Sequence, residues 1–583
     1  MVELLVAEEP VAQRSDDEVG QFIEWCTRNK VGLLSLPDDL PFWLTTHPTF
    51  ATAIDAERAW YDTQRSEYLT IRERWLARGI ECLMIKPAGN APSFPHLSDN
   101  IDILVRPEDG AAARDTLREL GYVEIRNVEE PQKFLFRRFH AGRCVSAIHV
   151  HERIAWFVGF LDDDLVWQRA RSATDDPAVL IPSPEDAILI NLAHACYENK
   201  ELRLVEVLRV RHALAAADQI DWGYLDEIAE RRGWLDGLAF MLLVLAEAEA
   251  ALFGASRIPA AQIARYETIL RDDEPAWQRL ANIRAMGVND LPLDLSYRFC
   301  KRLYYRKIAS DPERDRSGKV RDVAATLIWG VKLKSGLRPQ LGMVVSLSGV
   351  DGSGKTTHAE HLVAAARLCE LRAKYVWGRG GSGGIVGTIS RFRRTDNAAT
   401  TSDPIERRKS RLRRPAVRLA WAWLVAGEQI GRTFWRAWLP ARRGRIVVTD
   451  RAAVDTVVEM DASLPDDARW SRLAIAAMLR LSPSPDLGYV LDLSPETARA
   501  RKSDEVWHSG WEDERRRYLE LAPQLDLRVL STEGTFAQSN DRIIREVLMA
   551  FMAGYETRLN GLLYSNPSQK NRPDAVWAKG ATQ

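Results

Sequence analysis

The amino-acid sequence predicts two unlike halves: an α+β domain with a helical extension, followed by an α/β domain with a parallel sheet. Three patterns lead to this fold class. Short strand-like runs are spread through residues 81–156, and a nearly all-helical pattern covers 183–305. An apolar run, a glycine-rich loop and a helix then follow one another within 343–368. At roughly 100–200 residues per domain, the 583 residues allow two to four domains.

Local signals mark elements of the N-terminal half. The segment 111–125 has helical spacing up to Gly121 and then reads as a strand. A helix is predicted to begin at Ser183, an N-cap residue that is followed by a proline and an acid. The clearest strand-like runs are ECLMIKP (81–87), NIDILVRP (100–107) and SAIHVHERIAW (146–156).

Changes in composition predict five segments. They are an α+β domain with N-terminal helices (1–182), a helical extension (183–310), a polar linker (311–341), an α/β domain (342–555) and a flexible tail (556–583).

The overall composition excludes several classes of protein. The 80 basic and 81 acidic residues leave a formal net charge of −1, which predicts no general affinity for polyanions. The six cysteines show no CxxC or zinc-ligand spacing. The N-terminus has no signal-peptide pattern, and charged residues interrupt the most apolar stretch, 418–439. We therefore expect a cytoplasmic protein without a transmembrane segment.

The strongest chemical signal is GVDGSGKTT at 349–357, which meets the pattern GxxxxGK[ST]. Glycines let such a loop curl so that backbone N–H groups point at phosphate oxygens, and the following helix adds its positive end. Lys355 is expected to reach the β- and γ-phosphates, and Thr356 to bind Mg²⁺. The loop therefore predicts a site for ATP and Mg²⁺ formed by Gly349, Asp351, Gly352, Ser353, Gly354, Lys355, Thr356 and Thr357.

Residues 342–555 resemble the thymidylate kinase family, whose loop has the form xDGxGKTT. RIVVTDR (445–451) resembles the family's strand ending in Asp-Arg, and PDLGYVLDLSPETARARKSDE (485–505) resembles its strand and lid. LRVLSTEGTF (527–536) resembles the strand and loop beside the adenine. The resemblance implies an α/β P-loop kinase with a parallel sheet.

The resemblance also implies roles for single residues. The catalytic residues would be Asp351, Lys355, Arg451 and Arg501, and the Mg²⁺ ligands would be Thr356 and Asp450. Cations are needed because charge spreads over the transferred phosphoryl group, and Arg499 is the alternative to Arg501 as the lid arginine. Asp351 would orient the acceptor or satisfy amides of the loop; both interpretations stay open.

The segment after Asp450-Arg451 departs from the family. The family has an aromatic residue directly after Asp-Arg and then a Tyr-Gln stretch, whereas this chain reads DRAAVDTVVEMD (450–461). Asp455 in this segment suits a hydroxyl-rich or cationic acceptor better than a pyrimidine. The expected acceptor is a small molecule: dTMP or another nucleoside monophosphate, or a sugar or other metabolite.

The segment 391–445 is strongly basic, with fifteen Lys or Arg residues and four acids. It is predicted to be a solvated lid on the acceptor side, with a nucleic-acid or acidic-lipid patch as the alternative. Its tryptophans, at 421, 423, 435 and 438, fall at helical spacing and are predicted to lie in the core. Nucleic acid is therefore not an expected partner.

The N-terminal half resembles a family of uncharacterised bacterial nucleotidyltransferases, in which a lysine and three carboxylates serve two-metal chemistry. Lys86 matches the lysine, although Pro87 replaces the glycine after it. Asp102 matches one acid, and Asp99 lies nearby. Asn100 and His149 stand where the other two acids would be, and His151 matches the family histidine.

This half is therefore predicted to be a degenerate nucleotidyltransferase that binds a ligand or a partner. Activity retained with Asp99, His149 or one metal ion is an alternative. A transition-metal pair at His149 and His151 is another, and the histidines could also be purely structural. No chemistry is assigned to the helical region 183–305.

For the whole chain the sequence predicts an enzyme that transfers a phosphoryl group from Mg-ATP to a small molecule. One alternative is an ATP-binding regulatory or scaffold protein with a degenerate nucleotidyltransferase domain. Another is an active bifunctional nucleotidyltransferase and kinase. A homodimer is considered as well.

Overall fold

The protein is mixed α/β, and helices make up most of it. The computed structural model describes residues 15–36, 42–86, 100–126, 133–156, 158–173, 179–215, 219–288, 290–312, 314–334, 342–369, 371–378, 414–464, 469–501 and 510–563. The chain divides into two compact units. The N-terminal unit comprises residues 1–138 and 145–336, and the C-terminal unit comprises 139–144 and 337–583.

The N-terminal unit combines a mixed sheet with many helices. Its strands are β1 (Leu83–Met84), β2 (Ile101–Leu104), β3 (Val123–Arg126), β4 (Lys133–His140), β5 (Arg143–His151), β6 (Ala155–Trp156), β7 (Val158–Gly159), β8 (Arg171–Ser172), β9 (Leu180–Ile181), β10 (Glu201–Leu202) and β11 (Leu293–Asp294). Its helices are α1 (Asp16–Arg28), α2 (Phe42–Thr45), α3 (Pro48–Leu76), α4 (Gly110–Glu119), α5 (Asp163–Gln168), α6 (Pro184–Ala193), α7 (Leu204–Ala215), α8 (Trp222–Arg231), α9 (Leu235–Phe253), α10 (Ala260–Arg271), α11 (Glu274–Met286), α12 (Tyr297–Ser310) and α13 (Arg316–Lys334).

The seven strands of the main sheet have the order β3-β4-β5-β2-β1-β9-β8. β2 and β5 run parallel, and their register pairs Asp102 with His149 and Leu104 with His151. β1 pairs with β2 in the antiparallel sense. The register therefore brings Asp102 and the two histidines to neighbouring strands, although they are about fifty positions apart in sequence.

Helix α9 forms the centre of the helical region. Its sequence is apolar on all sides, which is typical of a helix buried on all sides, and its residues from Gly237 to Ala246 are buried. It packs against α6, α10 and α11. The start of α6 is as predicted, because the Ser183 hydroxyl accepts a hydrogen bond of 3.1 Å from the Asp186 N–H.

The C-terminal unit is a parallel sheet with helices. Its strands are β12 (Met343–Gly349), β13 (Ala373–Trp377), β14 (Ile446–Asp450), β15 (Leu487–Asp492) and β16 (Arg528–Ser531). Its helices are α14 (Lys355–Leu368), α15 (Pro415–Arg432), α16 (Leu439–Arg442), α17 (Ala453–Ser463), α18 (Arg469–Leu481), α19 (Pro495–Arg501), α20 (Trp511–Leu521) and α21 (Phe536–Leu563), with a π-helical turn (Thr433–Trp438) after α15.

The strand order in this sheet is β13-β14-β12-β15-β16, and every pair is parallel. All residues of β12 and β14 are buried. Strands that are covered on both faces need continuous apolar runs, and MVVSLS and IVVT provide them. The five strands thus place their carboxyl ends along one edge.

The structure differs from the sequence predictions at three places. The helix α13 lies within the predicted linker 311–341, and α21 continues to Leu563, past the predicted start of the tail at 556. Residues 564–583 lie outside the described part of the chain. The prediction that the four tryptophans are core is wrong for Trp423 and Trp435, whose exposed fractions are 45% and 66%.

Residues 391–413 of the predicted lid lie outside the described residues, and the described part of the segment begins at 414. From 415 onward this segment forms α15, the π-helical turn and α16, and α15 packs on α18. Among the described helices, none combines the length and the apolar character needed to cross a bilayer.

The packing of α9 leads to a stability prediction. Phe240 is fully buried, and its ring lies 4.7 Å from that of Phe299. Phe240→Ala is expected to lower the free energy of unfolding of the N-terminal unit by about 3–5 kcal/mol, because it opens a cavity in a packed core. Pulse proteolysis in urea measures this change. The half-exposed Leu327 provides the control, and an equal loss in Leu327→Ala would contradict the central role of α9.

Candidate functional site

The candidate site in the C-terminal unit lies at the carboxyl ends of the parallel strands. β12 and β14 pair so that Leu347 is opposite Asp450. The loop that leaves β12 and the Asp450-Arg451 pair that ends β14 therefore meet at one edge of the sheet. Ligands bind at this edge in open α/β sheets.

The loop between β12 and α14 depends on its glycines. Gly349, Gly352 and Gly354 have φ values of 139°, 91° and 87°, a region that residues with a Cβ rarely adopt. A Cβ on Gly349 would also lie 2.5 Å from the carbonyl oxygen of Leu491. The Ser353 hydroxyl donates to the Val350 carbonyl at 2.8 Å and stabilises the curled loop.

The side chain of Lys355 lies across this loop. Its Nζ donates to the carbonyl oxygens of Gly349 and Val350, both at 2.8 Å, and lies 3.6 Å from Oδ1 of Asp351. Burial, together with the neighbouring Arg451, lowers the pKa of Lys355. The ammonium group is thus held at the centre of the loop around which phosphates would bind.

Asp450 is the best-placed metal ligand in this unit. Its Oδ2 accepts hydrogen bonds from the Thr356 hydroxyl at 2.6 Å and from the Tyr375 hydroxyl at 3.0 Å. Its Oδ1 is buried and has no hydrogen-bond partner among the described residues. A buried carboxylate oxygen without a partner is costly, and a hard divalent cation beside Thr356 would satisfy it. The two predicted ligands therefore fit Mg²⁺.

Arg451 faces Asp351 across the mouth of the site. The Arg451 backbone has a φ of +79°, and its Nη2 lies 2.5 Å from Oδ1 of Asp351. Burial acts to lower the pKa of Arg451, but the carboxylates of Asp351 and Asp455 raise it overall. The guanidinium is therefore a permanent positive charge. The left-handed backbone turns the chain sharply after Asp450.

These residues surround one cleft of about 600 Å³. Arg501 lines the cleft, and its Nη2 donates to the Thr532 carbonyl at 2.7 Å. Arg499 is exposed and is not among the residues that line this cleft, so the geometry favours Arg501 of the two candidates. The cleft is lined by Asp351, Gly352, Gly354, Lys355, Thr356, Thr357, His358, Trp377, Asp450, Arg451, Arg501, Thr532, Phe536 and Ser539.

The expectation for Asp455 requires correction. Its Oδ2 accepts from the Ser348 hydroxyl at 2.6 Å and from the Ala452 N–H at 2.7 Å, while its Oδ1 accepts from Tyr518 at 2.9 Å. Burial raises its pKa. The carboxylate caps helix α17 and ties it to β12 and α20. It is buried among protein groups and is not presented to a hydroxyl-rich or cationic acceptor.

Among the residues that line the cleft or touch its acid, sequence reasoning missed Tyr375, Trp377, His358 and Ser539. Tyr375 bonds to Asp450, Trp377 stands opposite Asp450 in the register of β13 and β14, and His358 bonds to Gly354 and Ser539. The strand AKYVW after α14 was a usable signal, because the strand that follows the first helix joins the same sheet edge. No local pattern marks His358.

A second polar cluster lies buried in the N-terminal unit. Oδ1 of Asp102 lies 2.8 Å from Nε2 of His151, 3.4 Å from Nδ1 of His149 and 3.3 Å from Nζ of Lys86. The Asn100 amide nitrogen lies 2.6 Å from Nδ1 of His149. The structure thus brings together all five residues predicted for the degenerate site. Asp99 lies outside the described residues.

This cluster does not fit two divalent cations. The donor atoms of Asp102, His149 and His151 lie within 4.8 Å of one another, which is close enough for one metal ion. Asp102 is the only carboxylate of the predicted five residues, and Lys86 already neutralises it. Burial acts to raise the pKa of Asp102, but Lys86 and the two imidazoles lower it far below its ordinary value. Two Mg²⁺ ions need more negative ligands than this.

The helical region contributes to the same buried network, although no chemistry was assigned to it. Glu198 lies in the π-helical turn His194–Asn199 that continues α6. Its carboxylate contacts Nζ of Lys133 at 3.0 Å and Nε2 of His194 at 3.2 Å. Burial lowers the pKa of His194 to about 4, and Lys86 adds to the effect. The contact with Lys133 joins β4 to the π-helical turn that follows α6.

The pKa of His194 leads to a pH prediction. The unfolded chain binds a proton on this imidazole below pH 6.5, whereas the folded protein binds it only below about 4. The stability of the N-terminal unit is therefore expected to fall as the pH drops through this window, by about 2 kcal/mol between pH 7.5 and 5.0.

Pulse proteolysis in urea measures this difference at the two pH values when cleavage within residues 183–215 is followed. His194→Gln is expected to reduce it, and the exposed His212→Gln is expected to leave it unchanged. An equal pH dependence in wild type and His194→Gln would contradict the prediction.

Comparison with known proteins gives two matches. Residues 46–248 match the family model described as an uncharacterised nucleotidyltransferase. The chain is also similar to the probable thymidylate kinase of Sulfolobus acidocaldarius, with 32% identity over 109 residues. This second match covers 17% of the chain and 52% of the relative, so the chain spans about half the length of that protein. The first match supports a nucleotidyltransferase-family domain in the N-terminal half, and together the two matches suggest a nucleotide-related transferase.

Proposed function

We propose that the C-terminal unit is a thymidylate-kinase-like P-loop kinase that transfers the γ-phosphoryl group of ATP to a small-molecule acceptor. The observation that carries this proposal is the carboxylate of Asp450. One of its oxygens bonds to Thr356 and the other is buried without a partner among the described residues, in a cleft that also contains the glycine loop and two arginines. The similarity to a probable thymidylate kinase supports the same class.

The proposed mechanism rests on positioning and electrostatics. The N–H groups of the loop and the start of α14 bind the phosphates of ATP, and Lys355 moves from the carbonyls of Gly349 and Val350 to the β- and γ-phosphates. Bound Mg²⁺, held by Thr356 and Asp450, would neutralise phosphate charge. Arg451 and Arg501 border the same cleft and stabilise the charge of the transferred group.

The acceptor oxygen forms its bond to the γ-phosphorus while the bond from that phosphorus to the β,γ-bridging oxygen breaks. ADP leaves with the electron pair of the broken bond, and the proton of a hydroxyl acceptor passes to solvent. Asp351 is held at the mouth of the cleft by Arg451 and is positioned to orient the acceptor. This contact favours the orienting role of Asp351 over the satisfaction of loop amides.

Lys355→Met and Asp450→Asn are expected to lower kcat for phosphoryl transfer by roughly 10²–10³-fold, because each removes charge stabilisation of the transition state. Transfer of labelled γ-phosphate to a panel of nucleoside monophosphates, sugars and amino-alcohols measures this loss. Lys374→Met is a matched control, since Lys374 lies on β13 but does not line the cleft. Tight ATP binding without transfer to any compound would favour the regulatory protein instead.

The nucleotidyltransferase-like cluster is proposed to be inactive in catalysis, because Lys86 and two imidazoles already neutralise Asp102. Asp102→Ala is therefore expected to leave phosphoryl transfer by the C-terminal unit unchanged within about twofold. A nucleotidyl-transfer activity that is present in the wild type and lost in Asp102→Ala would show instead that the bifunctional enzyme is correct.

A further inference from the structure

The C-terminal unit contains a second cavity, on the face of the sheet that carries Val344 and Ser346. The cavity lies between this face and the end of α15 with its π-helical turn. It extends from Val344 and Pro485, near the amino ends of β12 and β15, to Arg451 at the carboxyl end of β14. The cavity therefore runs along the strands, beneath the end of α15 and the π-helical turn, and it is distinct from the phosphate cleft.

The walls of this cavity are mostly apolar, but several polar side chains also line it. The hydroxyls of Ser346 and Ser482 and the amide oxygen of Gln429 are buried and have no hydrogen-bond partner among the described residues. The exposed fractions of these residues are 1%, 8% and 2%. Buried polar atoms in native proteins nearly always have partners. Three of them around one cavity point to a bound group that supplies the missing hydrogen bonds.

The chemistry of the walls restricts that group. The Gln429 amide oxygen accepts only, so the bound group must offer a hydroxyl or an N–H. The two arginines that line the cavity are already paired, Arg432 with Glu428 and Arg451 with Asp351. An ionised group between the apolar walls, away from the phosphate cleft, would pay a desolvation penalty. The bound group is therefore uncharged and mostly apolar.

The volume of the cavity limits the size of the bound group. Its volume is about 80 Å³. A single water needs roughly 10–15 Å³ by the same measure. The cavity therefore has room for an apolar group on the order of five to eight non-hydrogen atoms, such as one small ring or a short branched chain.

Arg451 connects this cavity to the phosphate cleft, because it lines both. We propose that the phosphate acceptor is a small amphiphilic molecule whose uncharged, mostly apolar body fills this cavity through a hydroxyl or N–H contact with Gln429. Its phosphate-accepting oxygen then lies beside Arg451 in the cleft. The inference rests on the proposed kinase function and names the substrate class of that site.

Binding of simple probes tests the cavity first. Benzyl alcohol has an apolar ring and one hydroxyl, and toluene lacks the hydroxyl. Calorimetric titration of the full chain is expected to give an affinity for benzyl alcohol roughly tenfold above that for toluene, because one hydrogen bond to a buried oxygen is worth about this factor. The absence of benzyl alcohol binding would overturn the proposal.

Two variants locate the probe within the molecule. Ser346→Leu fills the cavity, and Gln429→Met keeps the side-chain length but removes the amide oxygen. Each is expected to weaken benzyl alcohol binding at least tenfold while the affinity for ATP stays within twofold, which also shows that the unit remains folded. Val345→Leu is the matched control, since the alternation of a strand directs it to the opposite sheet face. Unchanged binding in both cavity variants would overturn the proposal.

An assay of labelled γ-phosphate transfer tests the acceptor proposal and the kinase function separately. Alcohols and phosphate monoesters with small apolar bodies are expected to be better acceptors than dTMP or hexoses, and Ser346→Leu is expected to lower their kcat/KM at least tenfold. Efficient transfer to a hexose or to dTMP that Ser346→Leu does not change would overturn the acceptor proposal and leave the kinase standing. ATP binding without transfer to any compound would instead refute the kinase function, and the acceptor proposal with it.

Discussion

The parallel pairing of β12 with β14 is the constraint on which the candidate site depends. This pairing sets Leu347 opposite Asp450. The loop after β12 then leads into α14, where the Thr356 hydroxyl donates a hydrogen bond to Asp450. A shift of one residue would turn the Asp450 side chain to the other face of the sheet. In the observed register every residue of both strands is buried, and the Thr356 hydroxyl donates to Asp450. The pairing of two buried strands thus positions a polar contact.

Two of the buried aspartates, Asp102 and Asp450, differ in how their charge is compensated. Asp102 is surrounded by Lys86, His149 and His151, and its negative charge is already neutralised within the protein. Asp450 has two hydroxyl donors on one oxygen and, in the part of the chain that the structure describes, none on the other. A satisfied buried network stabilises a structure, whereas an unsatisfied carboxylate in a cleft favours a cation. This difference is why we assign the proposed chemistry to the C-terminal unit.

Asp455 and the apolar cavity together change the expectation for the acceptor. A carboxylate near Asp450-Arg451 suggested a polar or cationic acceptor, but the three hydrogen bonds of Asp455 go to protein groups. Three buried polar atoms without a hydrogen-bond partner among the described residues lie instead at Ser346, Gln429 and Ser482, around the apolar cavity. The side chains that surround the cavity come from six separate segments of the sequence. Only folding brings them together.

The sequence alone was sufficient for features that are local. The loop GVDGSGKTT, the strand that ends in Asp450-Arg451 and the cap at Ser183 each follow from neighbouring residues, since loop curling, strand burial and capping involve groups a few positions apart. Arg501 was preferred and Arg499 was the alternative, but the sequence could not separate two arginines on one short helix, and only the cleft beside Arg501 does so.

The tertiary structure decided which polar groups are satisfied. Tyr375 on β13 donates a hydrogen bond to Asp450 on the neighbouring strand β14, and Tyr518 on α20 donates one to Asp455. The charge of Lys86 acts on His194. Each of these contacts joins segments that are tens of residues apart or more. Whether a buried carboxylate binds a cation or caps a helix depends on such partners, and a pattern of neighbouring residues does not contain them.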